Sequence, residues 1–342
     1  MFKQTKRINN KDYSYLEHSF RIGRKIRKVS FYISKEERKN VKQFAIKNTK
    51  AIEKIAGLIE DYTKKNKNFS DFFGYGEQIK RIESKKVEFQ VLFRLISEKS
   101  KKEIVGEFLR TFLVNSMAME GGTISYEVAK AIEQKKKIRM EGISELDIPL
   151  YNQLKEAYFN LNRIKLRYPK QIKDLHFQIY KGIYPFAGKF RKEEATFGNV
   201  EEMAVTSKPE NITKDYAAAL RRYYSTKTKV YDFERVVEFH KDYQAVHGFE
   251  DGNSRLGRLI MASQLMKLGY PPMIIRGSQS RGYRQSLVRA INKRDDTSLI
   301  KFFYNAYNRT FDRFWLPILQ ENLNLKNQIS KKNFTYHEFI LT

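Results

Sequence analysis

The chain has 342 residues, more than a single hydrophobic core usually serves, so one large or two modest domains are expected. Hydrophobic residues make up 41% and aromatics 14%, ample for a core, and the absence of cysteine excludes disulfides, thiolate zinc sites and cysteine nucleophiles. The net charge of +27 invites nucleic-acid binding, but Lys and Arg are spread along the whole chain, among abundant Ile, Asn, Tyr and Phe, and form no stripe for specific recognition. Behind Met1–Ile8 there is no apolar segment of signal-peptide type, and no run approaches the ~18 apolar residues of a membrane span. A soluble cytoplasmic protein is expected.

Residues 1–100 are expected to form a helical N-terminal region. Val41, Phe44, Ala45, Ile52, Ile55 and Ile59 recur at helical spacing over 35–64, a polar loop follows at 66–76, and 77–98 resumes the helical pattern. A further helix over 101–120 carries the stripe Val105, Phe108, Leu109, Phe112. Helical patterns return at 125–138, 147–166 and 171–182 until Pro185 and Gly188 break them. The segment 186–207 is where a hairpin is expected, with Gly198-Asn199 near its turn, and a helix near 211–225 follows Pro209. Phe233, Val236, Val237, His240 and Gln244 then lead along a helix to His247. Beyond Gly252-Asn253, the residues Leu256, Leu259, Ile260, Ser263 and Met266 trace a helix apolar around most of its circumference, ended by Gly269 and Pro271-Pro272. The tail after Pro317 is polar and expected to be peripheral.

The segment His247-Gly248-Phe249-Glu250-Asp251-Gly252-Asn253-Ser254-Arg255-Leu256-Gly257-Arg258 concentrates the chemistry. Where a turn becomes a helix at 252–255, unpaired N–H groups and the positive end of the dipole make an anion site, and small residues let phosphate oxygens approach. No G-x-x-x-x-G-K-[ST] loop is present. Arg255 and Arg258 lie three apart on the new helix and repel each other unless an anion intervenes. Asp251 is a carboxylate of the kind that holds Mg2+ together with phosphates and water. His247, ending the preceding helix, is placed to take a proton from a hydroxyl. Each residue alone also has an ordinary structural role: a core histidine, surface ion pairs, a plain turn. It is their order between two apolar helices that favours a site.

The segment resembles the signature of Fic-domain proteins, H-x-F-x-[DE]-[GA]-N-[GK]-R-x-x-R, with Ser254 in place of the usual Gly or Lys. Pro185-Phe186-Ala187-Gly188-Lys189-Phe190-Arg191 resembles the family's lead into its flap, and Gly269-Tyr270-Pro271-Pro272 the end of its central helix. Tyr283 lies near the adenosine-contacting segment, and Tyr15–Arg21 resembles openings of some members. The resemblance implies a mainly α fold, a Fic-type helical bundle with a short β-hairpin flap, its core over 125–315 and its C-terminal tail at 316–342. The implied reaction moves AMP from ATP to a Tyr, Thr or Ser hydroxyl of a target protein, or of the chain itself. His247 would be the base and Asp251 the Mg2+ ligand. Gly252, Asn253, Ser254, Arg255, Arg258 and Tyr283 would bind nucleotide, and Ala195, Thr196, Phe197 and Gly198 would dock the target as flap.

Ser116-Met117-Ala118-Met119-Glu120-Gly121-Gly122 closes the helix of 101–124, where a carboxylate opposes the dipole. It matches the family's inhibitory pattern [ST]-x-x-x-E-[GN], in the class with an N-terminal inhibitory helix. The resemblance implies that Glu120, one turn beyond Ser116, pairs with Arg258 and withholds it from the γ-phosphate. Alternatives are removal of AMP, transfer of another phosphate-containing group, or a basic nucleic-acid-associated protein with an inactive site. A homodimer remains open. His240 is expected in the core, while His18, His176 and His337 have no assignable partners.

Overall fold

The computed structural model describes residues 2–8, 11–22, 25–33, 76–138, 141–198, 202–225 and 230–322. They divide into two compact units, one of residues 1–104 with 311–342, the other of 105–310.

In the first unit, β1 (Phe2–Ile8), β2 (Lys11–Ile22) and β3 (Lys25–Ile33) form an antiparallel sheet in that order. The register pairs Ile8 with Lys11 and Ile22 with Lys25 at the strand ends. This corrects the expectation of a helical region from residue 1. Along β2 apolar and polar side chains fall on both alternate positions, Tyr13 and Tyr15 on one, Leu16 and Phe20 on the other, so no clean period-two signal announces the strand. The helix expected over 35–64 and most of the loop after it lie outside the described residues. The helix expected at 77–98 is found as α1 (Gly76–Leu95). It buries Ile79, Ile82, Phe89 and Leu92, and Phe89 meets Trp315 edge-on at 5.0 Å. The tail begins less peripherally than expected: α11 (Leu316–Asn322) buries Leu319.

The second unit takes up α2 (Glu98–Ala118) from Val105 onward and continues with α3 (Tyr126–Glu133), α4 (Asp147–Arg163) and α5 (Pro169–Tyr180). Its two-stranded hairpin pairs β4 (Thr196–Gly198) with β5 (Met203–Val205). Then come α6 (Ile212–Ser225), α7 (Asp232–Val246), α8 (Asn253–Lys267), α9 (Ser280–Lys293) and α10 (Thr297–Thr310). The helix apolar on all sides in sequence is the buried one: from Arg255 to Leu265 every residue of α8 is buried. Gly257 permits its close approach to α7, since a Cβ there would lie 2.3 Å from Gln244 Nε2. Gly269 at φ 82° ends the helix. No helix among the described residues is long and apolar enough to cross a membrane.

Candidate active site

The end of α7 fixes the position of His247. Its backbone turns left-handed (φ 47°, ψ 51°), its N–H donates to the Tyr243 carbonyl at 3.3 Å, and its ring leaves the helix to stack on Phe197 of β4, centroids 4.7 Å apart. Burial, and then the charge of Arg191, pull its pKa down to about 4, against smaller opposing effects of the Gln244 backbone and Asp251. At neutral pH the imidazole is therefore uncharged and able to accept a proton.

The loop after His247 is closed from inside. Phe249 is fully buried, its N–H donates to Asn253 Oδ1 at 3.0 Å, and Asn253 Nδ2 returns a bond to the Phe249 carbonyl at 2.7 Å. The Asn253 side chain is thus spent on loop shape, and its carbonyl accepts from Gln244 Nε2 at 3.4 Å. Gly252 sits at φ 84° against Tyr180, where a Cβ would fall 2.4 Å from the ring. Gly252 and Ser254 line the cleft at the start of α8.

Arg255 and Arg258 do not share one anion. Arg255 turns back to Asp251, its Nη2 2.6 Å from Oδ2, and lies over the Tyr180 ring. Burial raises the Asp251 pKa, but the Arg255 charge and the Gly252 N–H outweigh it, and the carboxyl sits below its ordinary value. Arg258, 1% exposed, points to the end of α2: Nε donates to Ser116 Oγ at 2.9 Å, Nη2 to the Ser116 carbonyl at 2.7 Å, and Nη1 to Glu120 Oε1 at 3.0 Å. Helix α2 stops at Ala118, so Glu120 lies just past the last turn and not within it. Gly121 at φ 82° carries the chain away. A second cation, Arg284 of α9, stands 3.7 Å from Glu120 Oε2 and holds the Met119 carbonyl at 2.5 Å. Asn115 adds a bond from the Gly277 N–H at 3.3 Å.

A cleft of about 310 Å3 opens over this ground. His247, Asp251, Phe197, Gly198, Tyr283 and Glu120 line it, and Arg258 is behind Glu120 rather than on the wall. Tyr283 is nearly fully buried and its hydroxyl donates to His240 Nε2 at 2.7 Å, so it offers the cleft its ring. His240 is in the core, as expected. Among the described residues no group of three or more His, Cys, Asp or Glu gathers for a metal. One half-exposed carboxylate, Asp251, fits an ion that takes its other ligands from phosphates and water, as Mg2+ does.

Two residues of the site were not legible as such. Arg191 ties the flap to the loop: Nε donates to the His247 carbonyl at 2.7 Å, Nη1 to the Glu193 carbonyl at 2.5 Å, Nη2 to Thr206 Oγ1 at 3.1 Å and to the Ser207 carbonyl. Thr206 in turn donates to the Ala195 carbonyl, and Thr196 pairs with Val205 across the hairpin. His176 stacks on Phe249 at 3.8 Å, accepts from the Gly188 N–H at 2.9 Å on Nδ1, and so donates from Nε2 to the Asp251 carbonyl at 3.0 Å. The hairpin stands where it was expected; Asn199 lies outside the described residues.

Residues 166–265 match the Fic/DOC family model. The chain is 26% identical over 220 residues to the protein adenylyltransferase Fic of Nematostella vectensis, covering 62% of this chain and 50% of that protein. It is 27% identical over 211 residues to the protein of the same name from Drosophila willistoni, covering 59% and 41%. The chain thus spans half or less of the length of these curated relatives. Among solved structures, a Fic domain containing signaling protein from Bacteroides thetaiotaomicron superposes with a TM-score of 0.61 at 17% identity, covering 72% of this chain and 98% of that one. Fic-1 (residues 134–508) from C. elegans gives 0.60 at 18%, covering 82% and 86%. These superpositions establish a shared fold.

Proposed function

From the match of residues 166–265 to the Fic/DOC family model, we propose that the chain transfers AMP from ATP to a hydroxyl side chain of a protein and that Glu120 restrains the reaction. The observation that carries the proposal is a neutral, half-buried histidine above the start of a helix, in one cleft with a carboxylate suited to Mg2+.

In this reading His247 accepts the proton of the target's Ser, Thr or Tyr hydroxyl as its oxygen bonds to the α-phosphorus of ATP. The bond to the bridging oxygen of the β-phosphate breaks, and pyrophosphate leaves. The backbone at 252–255 receives the phosphates, and Arg255 and Arg258 neutralise them once released from Asp251 and Glu120. Asp251 would hold Mg2+, which supplies charge neutralisation on the phosphates. The hairpin offers an incoming segment a strand edge. Asn292 of α9 bonds the Val205 N–H at 3.1 Å and the Met203 carbonyl at 2.8 Å, so the outer side of β5 is taken and β4 is the pairing edge.

Within this reading α2 is the inhibitory helix and the rest of 105–310 the catalytic core. The test is incubation of wild type, Glu120→Gly and His247→Ala with α-labelled ATP. Label on protein, increased in the first variant and absent in the second, is the expected result. Label persisting without His247 refutes the assigned base.

A further inference from the structure

A second cavity, of about 410 Å3, lies within the second unit at the far end of α8 from His247. One face of α8 forms a wall of it: Ile260, Ser263, Gln264 and Lys267 recur at three- and four-residue spacing. Tyr223 and Tyr224, at the end of α6, form another. Its volume falls in the ~300–1,000 Å3 range of small-molecule sites.

The charges on this cavity have one sign. Lys165, Arg167, Arg235 and Lys267 line it, and among the described residues no Asp or Glu does. Arg235 is partly engaged, donating to the Tyr223 carbonyl at 3.1 Å and to Asp232 at 2.5 Å, with its guanidinium 4.5 Å over the Tyr223 ring. Lys267 caps the Leu161 carbonyl at 2.6 Å. Its pKa is lowered, by burial first and then by the like charge of Lys165. Lys165 and Arg167 are exposed at this lining, and Arg167 lies 5.3 Å over Tyr224. Burial of polar atoms without partners sharpens the picture. Ser263 is 1% exposed and Gln264 8%, yet Ser263 Oγ and Gln264 Oε1 have no hydrogen-bond partner among the described residues. Such atoms, left unmet, favour a ligand that supplies the missing bonds.

We propose that this cavity binds a small aromatic hydroxy acid. The cations answer a carboxylate, the tyrosines and Ile260 pack an aromatic ring, and Gln264 Oε1, an acceptor only, calls for a hydroxyl donor on the ligand. The site shares no residue with the cleft around His247 and does not depend on the reaction assigned there.

The test is calorimetric titration of the full chain with 4-hydroxyphenylpropionate, its methyl ester and 3-phenylpropionate at fixed ionic strength. The acid should saturate one site. The ester, lacking charge, and phenylpropionate, lacking the donor, should each bind about tenfold more weakly, the equivalent of ~1.4 kcal/mol. Lys165→Ala with Arg167→Ala, both exposed and harmless to the fold, should weaken the acid and leave the ester unchanged. Gln264→Leu should abolish the preference for the hydroxyl. Equal binding of acid and ester, absence of saturation, or indifference to the Lys165/Arg167 pair overturns the proposal, whether or not Gln264→Leu folds.

Discussion

Replacing Glu120 by glycine removes the carboxylate that meets Arg258 and leaves that guanidinium with Ser116 Oγ, the Ser116 carbonyl and the neighbouring Tyr283 hydroxyl. Stranding one member of a fully buried pair costs ~3–5 kcal/mol. Here Arg258 is 1% exposed and Glu120 24%, and the neutral partners survive, so a loss of ~1–3 kcal/mol is expected. The same change frees a cation for nucleotide. A charge-assisted bond gained in the transition state is worth ~1.5–3 kcal/mol, or about ten- to a hundredfold in rate. The two effects are read together: initial rates of protein labelling from α-labelled ATP, and thermal unfolding with and without ATP. The variant should melt lower than wild type in buffer, recover more stability than wild type on adding ATP, and label faster. Glu120→Gln, which keeps a hydrogen bond but no charge, should fall between them. A folded Glu120→Gly protein with unchanged labelling and no larger ATP stabilisation refutes the argument.

Other expectations follow from the same geometry. His247, with its pKa near 4, should leave labelling at full kcat/KM down to about pH 5, and an acid limb near the ordinary histidine value of ~6.5 would contradict the burial argument. His176, His240 and His247 are all held neutral, at about 4, 3 and 4, below the unfolded value, so the unfolded chain takes up protons first as pH falls. Their stabilisation is complete above pH ~6.5 and is lost toward pH 4, with a slope approaching ~4 kcal/mol per pH unit measured by denaturant melts. Arg191→Ala should lower kcat/KM for a protein target at least tenfold by ~1.4 kcal/mol or more of lost flap placement, with ATP affinity measured by titration little changed. Gly252→Ala places a Cβ against Tyr180 at positive φ and should cost both stability, ~1–3 kcal/mol by thermal melt, and nucleotide binding.

What the sequence disclosed is what local pattern encodes. The stripes of α7 and α8, the turn at Gly252 and the stop at Gly269 are periodicities and backbone demands, readable one turn at a time. The pairing of Arg258 with Glu120 is read from the sequence only through a signature that links distant segments, and the Ser116 bonds to the same guanidinium carry no sequence signal. Neighbours meet the polar side-chain groups of Asn253, Arg255 and Tyr283, namely the Phe249 backbone, Asp251 and His240, and no local pattern announces these partners. His176 carried no signal because its partners are remote, Asp251 being 75 residues away. The N-terminal sheet escaped because Tyr13, Tyr15, Leu16 and Phe20 give neither face of β2 a hydrophobic majority.

From Arg255 to Leu265 every residue of α8 is buried, and under the proposed restraint the contest for Arg258 is between a carboxylate on a tether and phosphates free in solution. A tethered competitor acts at a fixed effective concentration, of order millimolar for a short link, whatever the amount of protein present. Restraint of this type is independent of dilution and is set by how firmly the end of α2 is moored. Asn115, whose amide oxygen accepts the Gly277 N–H, belongs to that mooring and lies off the cleft wall. Under the proposed restraint, the resting rate would be adjustable from a residue outside the cleft around His247, like the tension on a spring.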